Sequence, residues 1–86
     1  MKINDAQRMG VRAFEAGKGS APAQNAEFCK AAFNREALKA TNVLHLMDAY
    51  SYGWTLANLA DGWEQWFPLD NPPPSVVALA KIMNED

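Results

Sequence analysis

The stretch from Thr41 to Gly62, TNVLHLMDAYSYGWTLANLADG, constrains this chain more than any other, because its periodicity fits one long helix and its length rules out a strand. Val43, Leu46, Met47, Tyr50, Trp54, Ala57 and Ala60 recur at intervals of three and four, which places them on one buried helical face. Thr41 or Asn42 offers a side-chain oxygen to the free amides of the first turn, and Gly62 can end the helix in a left-handed conformation. A chain of 86 residues makes one domain, 1–86, and buries only about 60% or slightly more of the surface its unfolded form exposes.

With 49% hydrophobic residues, three Trp and four Phe, the chain is too apolar for the disordered class. Its core is nevertheless thin, so a partner surface can cover what one small core cannot. The single Cys29 excludes an intrachain disulfide framework and points to a reducing compartment. No apolar run approaches the roughly 18 residues of a membrane span, and Met1-Lys2-Ile3-Asn4-Asp5 begins no secretory signal. The expectation is a cytoplasmic protein without a membrane partner.

Before the central stretch, Asn4 or Asp5 is a candidate cap for a first helix that reaches about Ala16, with Gly17 as its stop signal. Ala6, Gly10, Ala13 and Gly17 lie on one side of it, and the central helix carries a matching small-residue stripe of Ala49, Gly53, Ala57 and Ala60. Glycine inside a helix costs about 1 kcal/mol relative to alanine, so Gly10 and Gly53 require an offset. Close approach of the two helix backbones supplies one, which predicts a crossing there with Phe14 and Trp54 filling the flanks.

Lys18 to Gln24 is a loop by composition, and Pro22 biases Ala21 away from helix. Gly17-Lys18-Gly19-Ser20 does not make a phosphate-binding loop, because the first glycine of that motif is missing, no strand precedes it and Gly19 separates Lys from Ser. Asn25 caps a following helix from Ala26 to about Phe33 or onward to Ala40, with Phe28, Ala31, Ala32 and Leu38 facing inward. After Gly62, Trp63, Trp66 and Phe67 place three large aromatics within five positions, ahead of the stiff Leu69–Pro74 segment. They either close the open end of a small core or form an exposed anchor for a partner. Ser75 caps a last helix, Val76 to about Met83, which presents Val76, Leu79, Ala80 and Met83 on one stripe. These elements predict an all-α bundle of three to four helices, with a closely packed helix pair and a Trp/Pro-rich segment before the last helix.

No residue constellation supplies a catalytic, cofactor or metal site. His45 is the sole histidine and lacks further ligands at compatible spacing. Cys29, His45 and Asp48 define the enzyme or thiol-switch alternative, against an ordinary core cysteine and an ordinary helix-surface pair. The charge is uneven: residues 1–39 hold seven basic groups against four acidic, whereas 40–86 hold only Lys81 against six acidic. Arg8, Arg12, Lys18, Lys30, Arg35 and Lys39 are therefore the candidates for RNA contact, although a formal net charge of −2 disfavours a nucleic-acid partner. The same asymmetry is compatible with a head-to-tail homo-oligomer.

Gly10-Val11-Arg12-Ala13-Phe14-Glu15-Ala16-Gly17-Lys18, followed by Gly53-Trp54-Thr55-Leu56-Ala57, resembles the paired signature of the ribosome modulation factor family and its small relatives in bacteria and their phages. In that signature a G-x-x-A-x-x-A-G-K/R helix end precedes a G-W-x-x-A helix. The resemblance implies a helical hairpin and, as an alternative function, association with the ribosome. The family is strongly basic and this chain is net acidic, with Ser20-Ala21-Pro22-Ala23 in place of a Cys-Pro-Tyr-like element. What it implies here is the hairpin reused on a different surface, in a prophage-type accessory protein. The functional expectation is a non-enzymatic interaction protein that binds, and modulates or inhibits, a cytoplasmic protein assembly, including an anti-CRISPR-like role against a host defence system. Its expected contact surface combines Trp63, Trp66 and Phe67 with Asp61, Glu64 and Asp70.

Overall fold

The computed structural model describes residues 2–32 and 43–84. Four α-helices carry these residues: α1 (Ile3–Glu15), α2 (Ala26–Ala32), α3 (Val43–Ala60) and α4 (Pro74–Asn84), with single 3₁₀ turns at Pro22–Gln24 and Trp63–Gln65 and no strand among them. The architecture is the expected all-α bundle. Thr41 and Asn42, expected as caps, and the continuation of α2 toward Ala40 lie outside the described residues.

The first and third helices cross where the glycines sit. A Cβ placed on Gly10 would lie 2.0 Å from the carbonyl oxygen of Tyr50, and one on Gly53 would lie 2.0 Å from that of Gln7. Backbone therefore rests on backbone, and the offset expected for the two helical glycines is this approach. Phe14 and Trp54 flank the crossing as an edge-to-face pair, with ring centroids 5.4 Å apart. Among the described residues six of the twelve buried apolar residues are alanines, so the core owes its density to close helices more than to large side chains.

This crossing also shifts the buried face of α3. Leu46, Tyr50, Ala57 and Ala60 are buried as expected, but Val43, Met47 and Trp54 are only half-buried, while Ala49, Gly53 and Leu56 are inside. The smallest side chains occupy the line of closest approach, and the bulky ones are displaced to its margins.

The helix ends follow from local chemistry. The start of α1 lies earlier than Asn4 or Asp5: Lys2 is its N-cap, and its amide donates to Asp5 Oδ2 at 3.2 Å. Asp5 at the third helical position reaches back to a free amide instead of capping from outside. At the other end Gly17 takes φ +77°, Lys18 N–H donates to Ala13 O at 2.8 Å, and Gly17 N–H donates to Phe14 O at 3.0 Å. That is a Schellman ending, which requires the left-handed conformation glycine adopts readily. Gly62 ends α3 in the same conformation, with φ +69°.

Asn25 links local and tertiary structure. Its Oδ1 accepts from Phe28 N–H at 3.0 Å, capping α2, and its Nδ2 donates to Tyr50 Oη at 2.9 Å. Phe28 and Tyr50 are both fully buried, and their rings meet edge-on at 5.0 Å. The last helix starts at Pro74, whose fixed φ suits a first helical position, so Ser75 is not its cap. Its stripe is also rotated from the expected one: Ile82 is buried and Val76 and Leu79 are half-buried, whereas Ala80 and Met83 are exposed. Arg8 Nε donates to Ile82 O at 3.0 Å and ties the end of α4 to α1.

Two stability predictions follow from these contacts. Gly10→Ala and Gly53→Ala should each lose about 2–3 kcal/mol despite the helix-propensity gain, seen in thermal unfolding as a fall in Tm of roughly 10 °C or more. Gly19→Ala, where an added Cβ meets nothing within 4 Å, should leave Tm nearly unchanged. Asn25→Ala removes a cap and strands the buried Tyr50 hydroxyl, and denaturant titration should register a loss of about 2 kcal/mol or more.

Candidate functional site

Past Gly62 the chain turns through Trp63–Gln65, and the following residues are held by their own backbone. Trp66 and Phe67 N–H groups both donate to Trp63 O at 3.0 Å, and Asn71 N–H donates to Pro68 O at 3.1 Å. These short loops fix the path of the segment without burying its side chains. Trp66 is 81% exposed, Leu69 76% and Phe67 45%, while Trp63 is half-buried. Of the two readings of the aromatic trio, the exposed one describes Trp66 and Phe67, and partial cover describes Trp63. Within the stiff segment only Pro72 and Pro73 are half-buried, and Leu69, Asp70, Asn71 and Pro74 are exposed.

Asp61, Glu64 and Asp70 are all exposed beside these aromatics. No Lys or Arg occurs between Lys39 and Lys81, so the acidic character of this segment has no local counter-charge in the sequence. Trp63, Asp61 and Glu64 also line an open cleft of about 330 Å³, whose other walls come from Phe14 and Glu15 of α1, Ala57 and Ala60 of α3, and Val76 and Leu79 of α4. The inclusion of Glu15 was not expected from the sequence. A signal for it did exist: Glu15 ends α1 and Asp61 follows α3, and an acidic residue at a helix C-terminus opposes the helix dipole.

The basic candidates are placed differently from one another. The Arg8 side chain is only 17% exposed, lies 3.6 Å from Asp5 and donates to Ile82 O. Arg12, Lys18 and Lys30 are exposed, and Arg12 and Lys18 share a small hollow with Asn25 and Glu27. Arg35 and Lys39 lie outside the described residues. The Lys18 carbonyl accepts from Trp54 Nε1 at 2.8 Å and the Ser20 carbonyl from Ser51 Oγ at 3.4 Å, which straps the loop after α1 onto α3.

Cys29 is half-buried on α2, and its thiol donates toward the carbonyls of Pro22 and Ala23 at 3.6 and 3.5 Å. His45 and Asp48 are exposed on α3. Among the described residues no group of three His, Cys, Asp or Glu side chains gathers to hold a metal ion, and no helix is long and apolar enough to cross a membrane.

Comparison with protein-family models, with curated proteins and with solved structures gives no match. The thiol environment makes its own prediction. Alkylation of Cys29 by iodoacetamide at neutral pH should be several-fold slower in the folded chain than in denaturant, because the sulfur is partly covered and oriented toward carbonyls. Equal rates in the two states would overturn that reading of Cys29.

Proposed function

We propose that this chain is a non-enzymatic interaction module that recognises a protein partner through Trp66 and Phe67, with Leu69 beside them and Asp61, Glu64 and Asp70 at the margin. One observation carries the reading: a tryptophan 81% exposed, on a segment whose backbone is tied down by its own hydrogen bonds. An exposed large aromatic loses most of its hydration when it is buried against a partner, and a fixed backbone reduces the ordering cost on binding. Tryptophan is accordingly enriched among residues that dominate interface energetics.

The reading includes the modulation or inhibition of a cytoplasmic assembly, of the kind a phage accessory protein exerts on a host system. Tagged protein captured from a bacterial lysate, with and without nuclease, tests it against the Trp66→Glu variant. The expected outcome is a small set of stoichiometric proteins that survive nuclease and disappear with Trp66→Glu, while circular dichroism of the variant stays at the wild-type level. Loss of helical signal would make Trp66 a structural residue. Capture of ribosomal proteins alone, abolished by nuclease, would replace this reading with RNA association through the basic residues of the first half.

A further inference from the structure

The cleft between the ends of α1 and α3 combines an apolar floor with a rim of one sign. Ala57 and Ala60 of α3 and Val76 and Leu79 of α4 supply the apolar surface, and Trp63 stands beside it. Among the described residues the charged groups that line it are Glu15, Asp61 and Glu64, with no Lys, Arg or His. Among the described residues none of these three carboxylates is paired with a cation. Helix geometry adds to the field: α1 ends at Glu15 and α3 at Ala60, so two helix C-termini, each with negative partial charge, open here against the single N-terminus of α4 at Pro74.

These features select one kind of occupant. An apolar side chain would cover the floor but leave the negative field of the exposed rim carboxylates uncompensated. A phosphate or carboxylate would be repelled, and a compact metal ion would leave the apolar floor unused. A cation on a long aliphatic stem satisfies both parts of the cleft, and arginine does so best, since its planar fork pairs with carboxylates and its face packs on indole. We propose that the cleft seats an arginine side chain from a basic segment of the partner, stem on the alanine and leucine floor and guanidinium among Glu15, Asp61 and Glu64. This rests on the interaction reading above and names the partner's chemistry.

The probe is n-butylguanidinium, the end of an arginine side chain, titrated into the full ¹⁵N-labelled chain with butyrate as the anionic counterpart. Saturable shifts of the Trp63 indole and the Ala57 and Ala60 amides are expected with the cation and not with butyrate. The triple variant E15Q/D61N/E64Q should weaken binding about tenfold, and Gly19→Ala, away from the cleft and with open space for its Cβ, should leave it unchanged. Shifts no larger with the cation than with butyrate, or binding indifferent to the triple variant, would overturn the assignment. If Trp66→Glu abolishes partner capture while butylguanidinium fails to bind, the interaction module stands and the arginine site falls. If butylguanidinium binds as expected while Trp66→Glu captures the same partners as wild type, the arginine site stands and Trp66 is not the anchor.

Discussion

Direct contact between the backbones of α1 and α3 is the constraint on which the remaining structure depends. Only a residue without a side chain lets Gly10 rest against Tyr50 O, and the reciprocal position, Gly53, meets Gln7 O under the same condition. Once the helices are this close, the residues along the seam must be small, and Ala6, Ala13, Ala49 and Ala57 are. Larger groups move outward, where Phe14 and Trp54 meet edge-on and Trp54 reaches the Lys18 carbonyl. The loop after α1 is thereby strapped to α3, and α2 follows through the Asn25–Tyr50 hydrogen bond.

A core built this way has little apolar volume for its length. Alanine buries little area, so the hydrophobic contribution of each buried position is modest, and close packing with well-satisfied polar groups must carry more of the stability. The pattern of hydrogen bonds agrees: among the described residues no buried side-chain nitrogen or oxygen lacks a partner. It also leaves large apolar groups with nowhere to go inside. Trp66, Leu69, Leu59 and Leu44 are each more than half exposed.

Much of this fold is legible in the sequence because its strongest determinants are local. Small-residue stripes around Gly10 and Gly53 foretell the crossing, Asn25 foretells a cap, and Gly17 and Gly62 foretell helix ends, since each rests on sterics or hydrogen bonding within a few residues. What escapes such reading depends on distant partners. The side of α4 that faces the bundle is set by its tertiary packing, which includes Arg8 Nε bonding to Ile82 O across nearly the whole chain. The start of α1 escaped because a carboxylate near a helix start can act from either side of the first turn. For the candidate site, exposure of Trp66 and Phe67 was one of two open readings. That Glu15 lines one cleft with Asp61 and Glu64 needed the tertiary structure, although the places of Glu15 and Asp61 at helix C-termini marked those two as locally unfavourable.

The crossing of α1 with α3 has a consequence for synthesis of the chain. Gly10 and Gly53 are about 40 residues apart, and translation at roughly 5–20 residues per second separates their emergence by a few seconds. During that interval α1 exists without the surface its glycine was shaped to meet, and an isolated 13-residue helix with an interior glycine is marginal in water. The nascent N-terminal segment therefore spends its first moments largely uncoiled, and becomes helical when α3 arrives to receive it. Its folding is a late, long-range event in a protein whose helices look purely local.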